Sequence, residues 1–314
     1  MSNIFLKQLH FPNIDYNLDL GKHKNINQVG KMIIEISNIF KKVSPDWVFV
    51  FGDVNSSLAA SIASKKSMIN LAHVESGLRS NDFSMQEEIN RVIIDRISDL
   101  CFTTEISANI NLKKEGVDQD KIIFVGNTMI DPIMKYNKNI NDSLILKKYN
   151  LKPKNYIVLT IHRPINLIKK KFLKIVEKIE FWNQNTKIIM PLHPRNRNKL
   201  DQISSNWELT PPFSYYDFIH LIKHSKGVFT DSGGVQEETS FLNVPCFTIR
   251  NNTERPITIS NGTNNLITDQ LLQNDSVWKN KNKKKKNLEL WDGKSGKRIY
   301  DFFSSNNYLS YYVN

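Results

Sequence analysis

Short runs with apolar residues at consecutive positions, separated by stretches of helical period, constrain this chain more than any other feature. The runs are Trp47–Phe51, Ile69–Val74, Leu100–Thr103, Ile122–Val125, Tyr156–Ile161, Lys187–Met190, Val228–Thr230 and Pro245–Ile249. A strand with one wet face alternates, whereas a strand apolar throughout is buried on both faces, as in a parallel sheet. Between the runs lie amphipathic stretches, among them Val29–Lys42, Glu87–Ile97, Lys170–Phe181 and Tyr216–His224. Alternating strand and helix predicts a doubly wound α/β architecture. The 314 residues exceed what one such core needs. The polar segment Tyr136–Pro153 is the expected boundary, with domains over 1–145 and 146–314 and the C-terminal helix free to pack back on the first. Two such halves place a site in the cleft between them, at the carboxyl ends of the strands.

Composition removes several alternatives. Two cysteines, Cys101 and Cys246, build neither a disulfide framework nor a four-cysteine zinc site. No apolar stretch approaches the ~20 residues of a membrane helix, and the start MSNIFLKQLH has no signal-peptide pattern. A cytoplasmic protein with no membrane partner is expected. Lys+Arg 43 against Asp+Glu 31 gives a net charge of +12, which raises nucleic acid as a partner. Half of that excess sits in six lysines from Lys279 to Lys286, a self-repelling run that reads as a solvated loop. Without a basic helical stripe or RNA-recognition aromatics, no nucleic-acid partner is expected.

The residues after each strand carry the chemistry. Trp47–Phe51 runs into Gly52 and Asp53, and the next strand into His73-Val74-Glu75-Ser76-Gly77-Leu78-Arg79. Asp53 and Glu75 thus end strands of buried type, with a guanidinium close behind in Arg79. Glu87 and Glu88 open a helix, where the macrodipole alone accounts for one of them. In the second half the strands end at His162-Arg163, at His193, at Asp231-Ser232-Gly233-Gly234 and near Arg255. Ser-Gly-Gly at a strand-to-helix turn lets backbone N–H groups approach an anion, and arginines suit a phosphate. Carboxylates on one side and His, Arg and an anion cradle on the other suit a nucleotide-sugar. The acids would move protons on the sugar while the cationic side assists a UDP leaving group. There is no Walker lysine loop and no dinucleotide Gly-x-Gly-x-x-Gly.

The stretches GDVNSSLAA, AHVESGLRS, MQEEINR, FVGNTMIDP, LTIHRP, PLHPRNR, TDSGGVQEE and RNNTERP, in this order, resemble the non-hydrolysing UDP-N-acetylglucosamine 2-epimerases. The resemblance implies two Rossmann-like domains of the GT-B type and no cofactor or metal. It implies interconversion of UDP-GlcNAc and UDP-ManNAc for polysaccharide biosynthesis, by proton removal at C2, anti elimination of UDP to a 2-acetamidoglucal, and re-addition. It gives Asp53, Glu75, Glu87 and His162 as catalytic residues. It gives Arg79, Arg163, His193, Phe218, Ser232, Gly233, Gly234, Glu238 and Arg255 as substrate contacts, with Phe218 beside the uracil. It also implies a homodimer when the first domain is whole. A GT-B glycosyltransferase, a hydrolysing 2-epimerase and an inactive remnant that only binds UDP stand as alternatives.

Departures from the family are local, apart from the beginning. Gln86 replaces the usual proline before Glu87-Glu88, Ile257 stands where Glu-Arg-Pro is commonly followed by Glu, and His162-Arg163 is followed by Pro-Ile-Asn. The family's opening Gly-Thr-Arg-Pro-Glu loop and Gly-Gln-His are not found. Met1-Ser2-Asn3-Ile4-Phe5 resembles the stretch before the family's third strand, which falls at Tyr16–Leu20. The first domain is therefore expected to lack two strands, and the chain to show low stability and little turnover.

Overall fold

The computed structural model describes residues 8–20, 25–182, 186–192, 207–273 and 286–306. Its chain divides into two compact units. The first comprises Pro12–Asp131 with Glu289–Asn314, and the second Met1–Phe11 with Pro132–Leu288.

The first unit is built on a four-stranded parallel sheet in chain order, β1 (Trp47–Phe51), β2 (Asn70–Ser76), β3 (Leu100–Thr103) and β4 (Ile122–Phe124). Its helices are α1 (Asn25–Val43), α2 (Asn55–Lys66), α3 (Gln86–Ile97) and α4 (Ile106–Lys114), with α5 (Ile130–Lys135) at the boundary. The sheet packs on one side against the tail helix α12 (Ser295–Ser305). There Phe303 meets Trp47 edge-on at 5.1 Å and Phe49 at 4.9 Å, and Phe302 meets Phe102 at 5.7 Å. Tyr16–Leu20, expected as a strand, is irregular. An isolated run gains no ladder hydrogen bonds, and β1 is an edge of its sheet. β1 is also wetter than its apolar sequence predicts: Val48 and Val50 are buried, but Phe51 is 62 % exposed.

The second unit carries a six-stranded parallel sheet in the order β10-β9-β8-β5-β6-β7, from β5 (Tyr156–Thr160), β6 (Lys187–Pro191), β7 (Trp207–Thr210), β8 (Gly227–Thr230), β9 (Cys246–Thr248) and β10 (Asn264–Leu266). α6 (Asn137–Asn141) and α7 (Ile145–Lys148) form within Tyr136–Pro153 and bury Ile140, Ile145 and Leu151 in this unit. α8 (Lys169–Trp182) presents Phe172, Ile175, Val176, Ile179 and Trp182 to one face of the sheet. α9 (Tyr215–His224) and α10 (Gly233–Phe241) cover the other, with α11 (Pro256–Ser260) before β10. The chain leaves β5 toward β6 and β7 on one side and returns as β8 on the other. That reversal of strand order opens a crevice at the carboxyl ends of β5 and β8.

No described helix is long and apolar enough to cross a membrane. Cys101 and Cys246 are both free and buried. Of the lysine run only Lys286 is described, its N–H donating to the Asn261 carbonyl at 2.7 Å.

Candidate active site

In the first unit, β1 is followed by Gly52, which adopts φ +60° and turns the chain into Asp53. The Asp53 carboxylate receives Arg91 of α3, with Nε at 2.9 Å and Nη2 at 2.8 Å, and its backbone carbonyl accepts from the Asn90 amide at 2.7 Å. Asp53 is thus oriented by a buried guanidinium, with its side chain still 22 % exposed.

Glu75 lies at a register shift between Val74 and Ser76 and adopts φ +73°. A non-glycine residue there costs about 1–2 kcal/mol, and a bulge re-aims a side chain. The result is that Glu75 Oε2 stands 3.8 Å from where a Cβ on Gly52 would be, over the turn that carries Asp53. Strain that brings one carboxylate over the turn bearing another at adjacent strand ends points to function rather than to packing.

Glu87 and Glu88, neighbours in the first turn of α3, have opposite fates. Glu88 is fully buried. It accepts from the Ser80 N–H and hydroxyl and the Asn81 N–H, each at 2.9 Å, and pairs with Arg91. Glu87 is exposed and stands four residues before Arg91, on the helix face that reaches Asp53.

Arg79 is placed differently from the sequence expectation of a substrate contact. Its Nε and Nη2 grip both oxygens of Glu115 at 2.8 and 2.6 Å, and Nη1 donates to Asp95 and the Leu78 carbonyl, both at 2.7 Å. Burial pushes its pKa down, and the two carboxylates outweigh that, leaving it raised. Four of its five N–H groups are thereby committed within the unit.

In the second unit the switch point brings together His162, after β5, and Asp231, after β8. Thr160 and Thr230 are register partners whose hydroxyls lie 2.6 Å apart. Asp231 is fully buried and its Oδ1 lies 2.7 Å from His162 Nδ1. It also accepts from the backbone N–H of His162 at 3.1 Å, that of Arg163 at 3.0 Å and the Asn166 amide at 3.1 Å. Burial pushes the Asp231 carboxyl up. The hydrogen bond and charge of His162, with the Arg163 N–H and the Asn166 amide, outweigh this and leave it below the usual carboxylate range. An ionised Asp231 holds the hydrogen of His162 on Nδ1. Nε2 is then the basic nitrogen of a side chain that is 64 % exposed. Asn166 is not singled out by the sequence, and Asp231 is named there at its strand end without a role. Asp231 directly follows a buried strand, the same signal that singled out Asp53.

Ser232 precedes the first turn of α10 without capping it by its side chain. A Cβ on Gly233 would meet the side-chain ends of Arg255 and Glu254, so a larger residue there would have to displace that ion pair. Arg255 pairs with Glu254, and its Nε stands 2.9 Å from Glu237 Oε2, close enough for an ion pair though not aligned as a hydrogen bond. Arg250 also holds Glu254, with Nη2 to Oε2 at 2.6 Å. Burial, reinforced by the charge of Glu237, pushes the Glu238 carboxyl up to about 8. Phe218, on α9, is half-buried against the core cluster containing Leu221 and Val228. His193 lies outside the described residues. Among those described, no group of three His, Cys, Asp or Glu side chains could hold a metal ion.

Comparison with known proteins gives a consistent likeness. The family model for UDP-N-acetylglucosamine 2-epimerase matches residues 1–304. A UDP-N-acetylglucosamine 2-epimerase from Methanocaldococcus jannaschii is 40% identical, with 95% of this chain and 86% of the relative covered. The crystal structure of the UDP-GlcNAc 2-epimerase of that organism, in complex with UDP-GlcNAc and UDP, superposes with a TM-score of 0.89 at 37% identity, covering 97% of this chain and 88% of the other. A UDP-2,3-diacetamido-2,3-dideoxy-D-glucuronate 2-epimerase from Pseudomonas aeruginosa is 36% identical, over 85% of this chain and 76% of the relative.

Proposed function

From the premise that the chain belongs to the UDP-N-acetylglucosamine 2-epimerase family, we propose that it is an isomerase converting UDP-GlcNAc to UDP-ManNAc by inversion at C2. A carboxylate removes the C2 proton and UDP departs anti, giving the 2-acetamidoglucal. UDP then adds back to C1 while a proton arrives on the other face of C2. Asp53, Glu75 and Glu87 are the proton-transfer acids. His162 assists as a base or acid whose tautomer Asp231 fixes, contributing on the order of 10²–10⁴ in rate. The N–H groups of Gly233 and Gly234 with Ser232 hold the diphosphate, Glu238 the ribose, Arg163, His193 and Arg255 the anionic portion, and Phe218 the uracil. Arg79 serves the first unit's interior instead, as its commitment to Glu115 and Asp95 indicates.

What most supports this reading is Glu75, bent into the left-handed region so that its carboxylate overhangs the Gly52–Asp53 turn. Glycosyl transfer needs no such pair of acids, and the relatives named as epimerases weigh against it. The Pseudomonas relative acts on a UDP-sugar with the same 2-acetamido chemistry, so both sugars belong in the assay. Free, buried cysteines suit a reducing cytoplasm. A homodimer that feeds polysaccharide biosynthesis completes the proposal. NMR of a UDP-GlcNAc incubation is the test. UDP-ManNAc as product supports the assignment, whereas free ManNAc with UDP identifies a hydrolase and glycosylated acceptor a transferase.

A further inference from the structure

A histidine stands inside β2, between Ala72 and Val74, with no exposed surface at all. Burying an imidazole there is costly unless both ring nitrogens are satisfied. They are: Nδ1 lies 2.6 Å from Asp95 Oδ1 and Nε2 lies 3.1 Å from the Gly52 carbonyl. A carbonyl only accepts. Asp95 is also an acceptor, since burial pushes its carboxyl up while the charges and hydrogen bonds of His73 and Arg79 outweigh that and hold it below the usual range. Nε2 therefore carries the hydrogen that the Gly52 carbonyl accepts.

Gly52 is consequently held at both of its backbone groups by β2. Its N–H donates to the Val74 carbonyl at 3.0 Å, and its carbonyl accepts from His73. The peptide carrying that carbonyl leads directly into Asp53. Asp95 fixes the other strand end as well, because its Oδ2 accepts from the Gly77 N–H at 3.0 Å, two residues after Glu75. One buried carboxylate on α3 thus ties both acid-bearing turns, the one after Glu75 through the Gly77 N–H and the one before Asp53 through an imidazole on the Gly52 carbonyl.

We infer that His73 is a positioning residue that sets the place of Asp53 through the Gly52 carbonyl, an inference that rests on Asp53 being a proton-transfer acid. Misplacement of a reacting group by about 1 Å costs on the order of 10²-fold in rate.

Two near-isosteric replacements separate the ring's two bonds. His73→Asn keeps a donor near the position of Nδ1, toward Asp95, but does not reach Gly52. His73→Gln carries its amide near the position of Nε2 and restores the donor to the Gly52 carbonyl. Both are compared with wild type for kcat and KM on UDP-GlcNAc and for circular dichroism, with Asp53→Asn alongside. The expected result is a native spectrum for H73N with kcat lowered about 10²-fold at little-changed KM, and kcat of H73Q within about tenfold of wild type. A folded H73N with wild-type kcat overturns the inference, as does a folded H73Q no more active than H73N. Should H73N not fold, H73Q decides alone: kcat within tenfold supports the role, and a larger loss overturns it. If D53N keeps full turnover, the assignment of Asp53 has failed instead, whatever the His73 variants do.

Discussion

At Asp231 burial and hydrogen bonding oppose one another, and the four groups that donate to it keep it ionised. Asp231→Asn would leave a hydrogen-bonding amide of the same shape but remove the charge that fixes the hydrogen on His162 Nδ1. Turnover is expected to fall about 10²- to 10⁴-fold, with UDP binding by calorimetry little changed. Unaltered kcat would remove His162 from the chemistry. Glu238 shows the opposite balance. Its unfolded pKa is about 4.3 and its folded value about 8, so between those pH values the folded form retains a proton that the unfolded form has released. Stability therefore falls as pH rises through that window. Glu238→Gln removes the penalty, and its Tm advantage over wild type is expected to widen from pH 5 to pH 8. A constant gap would mean that Glu238 is ionised in the fold. The sequence named Glu238 through its motif, but the cause of its shift is three-dimensional, because it lies in burial and in Glu237.

α3 is the element that turns strand ends into a site. From one helix Glu88 fastens Ser80 and Asn81, Asn90 and Arg91 fasten Asp53, and Asp95 fastens Gly77 and His73. The adjacent acids at its start give a clean dissociation. Glu88→Ala leaves Arg91 partly uncompensated and is expected to cost about 3–5 kcal/mol in denaturant unfolding. The exposed Glu87→Ala is expected to change stability by less than about 0.5 kcal/mol while abolishing turnover. The reverse pattern would exchange their roles. Legibility followed burial in the same way. Central strands were readable because Val158, Leu159, Val228 and Phe229 are apolar in succession and buried on both faces. The edge strands Trp207–Thr210 and Asn264–Leu266 were not, since WELT and NNL carry polar residues that an edge tolerates. At Tyr16–Leu20 the alternation is real, but among the described residues no strand pairs with it. The networks of His73 and Arg79 join residues 16 to 36 positions apart, and no local pattern carries such pairings.

At the scale of the molecule, the two units differ in how well their sheets are protected. β5 and β8 are interior strands of a six-stranded sheet, whereas β1 is an edge with exposed Phe49 and Phe51. Amides of Trp47–Phe51 are expected to exchange faster than those of Tyr156–Thr160, and equal protection would show that the edge is covered in solution. The alternation of strand and helix announced both parallel sheets, but not the strand order that makes the crevice between β5 and β8. The net charge of +12 raised nucleic acid as a partner, but half of it sits in one lysine run, far in sequence from His162 and Asp231, and the reading without nucleic acid rested on that. Proton exchange at C2 with the nucleotide-sugar regained intact is the step that distinguishes such an epimerase from a transferase. Incubating the chain with UDP-GlcNAc in D₂O and reading the C2 position of the recovered UDP-sugars by NMR tests it directly, since even slow turnover accumulates label. Deuterium at C2 of UDP-GlcNAc and UDP-ManNAc is the predicted result. Epimerised or released sugar that keeps its original hydrogen at C2 would contradict it.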